Sequence, residues 1–335
     1  MGQRSVEQAR GLLNLTPKAA YRPARNPYNP VSGITIRHAK KQPKRQPKPI
    51  RALAMQIDPF FQVPRRTLDT SSGPVEVPVL YKEGDYSIAL FCAHRHRVEA
   101  LLNASATQSS LTPAMTFGPY AIVSLVMANF THCSDTDYSV AGLAVPVSRR
   151  QGFQPVSPWR ELFRRADQRH MGFYLVNCPA DSLRMINVGR EIWGHPKTPA
   201  RIELQLDQNS LRCRVDCLQY NQPLFEFSGW GPRFWQIRPL GMNLFSILNQ
   251  QMIRSILDVR SPFNLHLPFG FRLRLAPGDH PTTRPMRKLG LDGKRPLMVI
   301  STNQFQGRFN EGVVIEELGQ APQVSPRRVR DTLRV

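Results

Sequence analysis

The sequence predicts a mainly β domain, an antiparallel sandwich or closed barrel with a few helices outside it. Three observations carry that prediction. Between about residues 76 and 318, short apolar runs alternate with turn residues. Helical periodicity is confined to four short stretches. The segment before this region is basic and proline-rich and has little periodic apolar content.

Taken in order, the first strand is expected at 86–92 and is followed by a helix at 96–103, with Val98, Leu101 and Leu102 on one face. The longest apolar run places a strand at 120–130, and further strands follow at 139–147 and 172–176. A short helix is expected around 159–167. A second helix runs from Asp181 to about Ile192 and cannot pass Pro196, which also holds His195 extended. Strands at 200–206, 210–217 and 224–228 come next, then a helix at 249–258, then strands at 269–275, 297–302 and 312–317. No internal repeat is visible.

The chain has 335 residues, 41% of them hydrophobic, which is enough for a full core. Of the net charge of +21, a surplus of 11 lies in residues 1–70. The division expected is therefore a basic, disordered extension over 1–75, a β domain over 76–320 and a basic tail over 321–335. The extension reads either as a solvated arm or, through residues 1–66, as an electrostatic contact for nucleic acid or an acidic surface. The five cysteines are an odd number spread through apolar stretches, as expected of reduced thiols in a cytoplasmic protein; a basic N-terminus also fits organelle targeting. Cys213 and Cys217 lack a second ligand pair, and the His94-Arg95-His96 run reads as solvated, so no metal and no cofactor are expected. No apolar run approaches the roughly 20 residues of a membrane-crossing helix. There is no phosphate-binding glycine loop and no G-x-S-x-G elbow, which removes the usual support for nucleotide and serine-hydrolase chemistry. Trp230, Phe234 and Trp235 are expected inside the barrel or at a subunit interface, ahead of a base-stacking role.

One lysine stands apart. Between Lys82 and Lys288 the chain uses arginine at more than twenty positions and lysine once, at Lys197. Only an amine that can lose its proton attacks a carbonyl, and arginine cannot replace it there. Ile192 and Trp193 offer an apolar wall, while Arg190, His195 or Arg201 offer a positive field that would lower the amine pKa.

The run Asn187-Val188-Gly189-Arg190-Glu191-Ile192-Trp193-Gly194-His195-Pro196-Lys197 resembles the Gly-Arg-Glu-x-x-x-Tyr-Pro-Lys motif of the acetoacetate decarboxylase family, whose lysine forms a Schiff base. The segments 85–89 and 295–304 resemble the same family's first and closing strands, so the resemblance covers roughly 80–317. It implies an antiparallel β-barrel or cone with outer helices, a small oxo-acid substrate and a homo-oligomer. It also implies Lys197 as nucleophile, with His195 in the place of the family tyrosine as a proton shuttle. The family's second lysine, the neighbouring cation that gives the standard example of amine activation, is Thr198 here. Arg190 is then the candidate pKa-lowering cation. The family glutamate falls near Val140 and the family arginine near Gly84, which leaves Asp137, or Asp135 beside it, as the acid/base candidate. The chemistry expected is decarboxylation of a β-keto acid. The alternatives are aldolase or dehydratase chemistry at the same lysine, and a non-catalytic ligand-binding barrel with a basic arm.

Overall fold

In a computed structural model, residues 58–104, 110–150, 157–161 and 164–318 are described. The first long strand, β1 (Val79–His94), shows why its sequence is apolar almost without interruption. Tyr86, Ile88 and Leu90 belong to one buried cluster and Ala89, Phe91 and Ala93 to another, so both faces of the strand are covered. The same holds for β2 (Tyr120–Cys133), which pairs antiparallel with β1, and for β3 (Tyr138–Arg149), which pairs antiparallel with β2. Between β1 and β2 lies helix α1 (Arg95–Asn103), with Val98 and Leu102 buried.

From β3 the sheet continues to β4 (Met171–Leu175), then after helix α2 (Leu183–Trp193) come β5 (Lys197–Leu206), β6 (Ser210–Cys217) and β7 (Gln222–Trp230). These are followed by β8 (Met242–Leu248), β9 (Gln251–Val259), β10 (Arg272–Leu275) and β11 (Gly307–Phe309). Pairing runs β1, β2, β3, β4, β8, β9, β11 and back to β1. The return is through the three residues of β11, and β4 meets β8 over two parallel pairs only, so the sheet is cone-like rather than a uniform cylinder. Strands β5, β6, β7 and β10 form a second antiparallel sheet. One core lies inside the cone, and the other involves the second sheet and α1.

Four expectations are corrected. The helix at 249–258 is strand β9. Leu248 and Gln251 pair across a two-residue turn, Asn249-Gln250, in which both residues have positive φ (50° and 61°). The order begins before residue 76: Arg66–Leu68 pairs with Val75–Val77, and the Arg260 guanidinium lies over the rings of Phe60 and Phe61. Trp230, Phe234 and Trp235 are exposed and do not line the interior. The segment expected as a helix around 159–167 is a single turn, Pro158–Glu161, and a 3-10 turn, Ala166–Gln168. The expectations for residues 1–57 and 319–335 lie outside the described residues. Among the described residues no helix is long and apolar enough to cross a membrane.

Candidate active site

Helix α2 delivers the motif to the cone. Ser182 caps it by accepting from the Met185 N–H, and its other end stops at Gly194, whose φ of 62° is the left-handed C-cap that glycine favours. The chain then turns through His195 and Pro196, and Lys197 opens β5 as the parallel register partner of Cys178 in the short strand Cys178–Ala180. The Lys197 side chain doubles back against α2, where Gly189 makes room for it. A Cβ at Gly189 would lie 2.6 Å from the lysine Cδ and 3.1 Å from Nζ.

The Lys197 amine is buried. It donates to the Met185 carbonyl at 3.0 Å and sits 4.6 Å from the centre of the Tyr138 ring. Burial pulls its pKa below that of an ordinary lysine. His195 is 5% exposed, and burial followed by the neighbouring lysine lowers its imidazole to about 3, so it stands neutral. Its ring lies near those of Trp193 and Phe309, and Nε2 has no hydrogen-bond partner.

These groups open onto a cavity of about 80 Å³ inside the cone. At roughly 10–15 Å³ per water position it has room for several waters or a small ligand. Every strand of the ring contributes to its wall, among them Tyr81 and Tyr86 from β1, Tyr138 and Val140 from β3, Leu244 from β8 and Phe309 from β11. The Tyr81 and Tyr138 hydroxyls share a buried hydrogen bond of 3.0 Å, and burial raises both phenols well above their usual pKa. Cys178 also lines the wall, and burial keeps it a thiol. No carboxylate and no arginine is among the lining residues.

The other expected site residues lie elsewhere. Arg190 is exposed and its Nε–H donates to the Lys197 backbone carbonyl at 2.8 Å, so it positions the lysine's backbone; the lowered amine pKa comes from burial. Asp137 is exposed and accepts from the Cys133 N–H at 2.8 Å, closing the β2–β3 hairpin away from the cavity wall. Asp135 pairs with Arg184 at 2.5 Å. Val140, where the resemblance would place a glutamate, does face the cavity. At Gly84 a Cβ would meet the Asn129 carbonyl oxygen at 2.5 Å, so no side chain fits there as the strands stand. Sequence reasoning missed Tyr81, Tyr86, Tyr138 and Cys178, whose only signal is an inward strand position. Among the described residues no group of three or more His, Cys, Asp and Glu is assembled to hold a metal.

Residues 85–231 match the family model of acetoacetate decarboxylase. Among solved structures the chain is similar to an acetoacetate decarboxylase at 16% identity, over 71% of this chain and 89% of that one, with a TM-score of 0.50. It is similar to the acetoacetate decarboxylase of Legionella pneumophila subsp. pneumophila str. Philadelphia 1 at 17% identity, over 78% and 95% of the two chains, also with a TM-score of 0.50. No curated protein sequence matches the chain. Residues 85–231 therefore resemble the acetoacetate decarboxylase family, and the chain shares the β-rich, cone-like fold of the solved acetoacetate decarboxylases.

Proposed function

We propose that the chain is a Schiff-base-forming carbon–carbon lyase that acts on a small oxo-acid through Lys197, with decarboxylation of a β-keto acid as its reaction. The observation that carries this reading is a lone lysine amine, buried with a lowered pKa at the wall of an internal apolar cavity. Burying a charged amine in an apolar wall is costly, so burial biases it toward the neutral, nucleophilic form, and groups perturbed in this way cluster at functional sites.

In this reading Nζ attacks the ketone carbon, a carbinolamine forms, and water leaves to give a protonated imine. The bond between the α-carbon and the carboxylate then breaks. Its electron pair moves into the C–C–N system to form an enamine, and CO₂ departs. Protonation of the α-carbon restores the imine, and hydrolysis returns the amine and the ketone. The face of Tyr138 is placed to stabilise the positive imine. Neutral His195 offers an unpaired Nε2 to substrate or water. With its pKa near 3 it is a weak base, so a proton relay through it runs between neutral tautomers. An aldol or dehydration step would use the same imine and differ in the bond that breaks.

The test is borohydride reduction in the presence of acetoacetate and other small oxo-acids, with the adduct located by peptide mass spectrometry. The expected result is an adduct confined to Lys197 and absent from Lys197→Met, with CO₂ released from acetoacetate. No adduct with any carbonyl compound would favour the non-catalytic binding barrel. An adduct without CO₂ would favour the aldolase or dehydratase alternative.

A further inference from the structure

The cone holds a second cavity, and its position bears on the substrate. It has a volume of about 40 Å³ and is lined by Ile88, Leu90, Met115, Phe173, Met242 and Phe263 among others. Protein interiors are close-packed, with few voids larger than a water molecule, so an apolar void beside a reaction cavity calls for an explanation.

The two cavities lie in line along the same inward faces. On β1 Tyr81 and Tyr86 line the lysine cavity, and Ile88 and Leu90, two and four positions beyond Tyr86, line the second. On β4 the pair is Leu175 and Phe173, and on β8 it is Leu244 and Met242. Alternate residues of a strand share a face, so three strands run from one cavity into the next. At about 3.3 Å per residue, the path from Tyr86 to Leu90 covers roughly 13 Å.

What separates them is slight. The Tyr86 hydroxyl donates to the Met242 sulfur at 3.5 Å, and a thioether is a weak acceptor. Methionine is unbranched and adapts its rotamer to its surroundings, so it can move aside without disturbing the backbone. Tyr86 itself is held by stacking on Phe305, with ring centres 4.7 Å apart.

The far end is apolar but for one side chain. Arg169 lines the second cavity, but its guanidinium is committed to backbone carbonyls, donating from Nε and Nη2 to Arg164 at 3.0 and 2.6 Å and from Nη1 to Gly241. A substrate end arriving there meets mostly apolar side chains, and the one cation is held in place by three donations to backbone carbonyls.

Resting on the imine reading above, we infer that the second cavity is a tail subsite and that the substrate is a 3-oxo acid with an unbranched apolar chain beyond its ketone. The chain passes the Tyr86–Met242 partition while the carbonyl stays at Lys197. This class is distinct from acetoacetate, which has no such chain.

The experiment uses the full chain and a series of methyl ketones, acetone, 2-hexanone and 2-octanone, as probes. Two quantities are read: the concentration giving half-maximal borohydride-trapped adduct at Lys197, and the rise in melting temperature without reductant. Burial of one methylene is worth about 0.8 kcal/mol, so the half-saturating concentration should fall about fourfold per added carbon until the cavity is full. Ile88→Phe fills the second cavity and should remove the gain for 2-octanone while leaving acetone trapping in place. Met242→Ala should extend the gain to longer ketones, and it decides the matter if Ile88→Phe does not fold. Equal half-saturation across the wild-type series, or a chain-length limit untouched by both variants, overturns the inference while leaving the imine reading intact. If no ketone is trapped, the imine reading falls. The tail subsite then stands on a melting shift that grows with chain length, and a flat series removes it as well.

Discussion

Gly189 decides where the lysine amine can lie. Alanine is the better helix former by about 1 kcal/mol, yet a Cβ here would press on the Lys197 side chain from 2.6 Å. Overpacking typically costs about 1–3 kcal/mol, so Gly189→Ala should lower the denaturation midpoint and also slow imine trapping. A variant more stable than wild type with unchanged trapping would show that the close approach does not matter. His195 makes a separate prediction about acid. Its folded pKa is about 3 against 6.5 in the unfolded chain, so the unfolded state binds the extra proton and stability is lost as pH falls between those values. The full loss is on the order of 5 kcal/mol. His195→Phe should therefore flatten the fall in melting temperature between pH 6.5 and 3; equal slopes in both proteins would count against a buried neutral imidazole. At this scale the sequence reveals Lys197, because it is the one lysine in a long arginine-rich stretch. It does not reveal that Tyr81 and Tyr138, 57 residues apart, share a hydrogen bond beneath the amine, since only the strand register brings them together.

Among the elements, β9 shows where periodicity misleads. Met252, Ile253, Ile256 and Leu257 fall at helical spacing, but the segment pairs with β8 on one side and with β11 on the other. Ladder bonds on both edges outweigh the weak local preference. The sign that would have separated strand from helix is Asn249-Gln250, a two-residue hairpin turn with both residues left-handed, for which Asn-Gly is the usual pair. A non-glycine residue in that conformation costs roughly 1–2 kcal/mol. Gln250→Gly should accordingly raise the melting temperature, by the equivalent of about 1 kcal/mol; a decrease would mean that the glutamine side chain makes a contact worth more than the strain. The strands at 86–92, 120–130 and 139–147 are legible because their apolar content is long and continuous, and that at 210–217 because apolar and polar residues alternate. Short pieces such as β11 were not, because three residues carry no period and take their structure from the neighbours they join.

For the molecule as a whole, aromatic residues are exposed at the end of β7, in the strand Arg233–Ile237 that follows it, and at Phe269. Trp230, Phe234, Trp235 and Phe269 are between 48% and 67% exposed, and the Gly270 N–H donates to the Trp230 carbonyl, which draws two of their segments together. Contiguous apolar surface of this kind marks interaction sites, and it is the natural candidate for the homo-oligomer expected from the sequence. Sedimentation velocity should show a species larger than the monomer that dissociates on Phe234→Ser with Trp235→Ser; a monomeric wild type would detach the patch from self-association. The basic extension has its own readout: if residues 1–66 contact nucleic acid, a steeply salt-dependent binding should be measurable with the full chain and disappear on their removal, and no such binding by the full chain would leave the solvated-arm reading.

The cavity also carries an optical reporter. Trp193 is buried at its wall, fixed by a hydrogen bond from its indole N–H to the Asn310 carbonyl, with the rings of His195 and Phe309 close by. Trp230 and Trp235 stand in solvent. In a Trp159→Phe chain, which removes the fourth tryptophan, iodide, a charged quencher excluded from apolar interiors, should therefore darken the two exposed indoles and spare the buried one. The emission that Trp193 retains would then follow filling of the lysine cavity in real time, without a label and before any bond to Lys197 has formed.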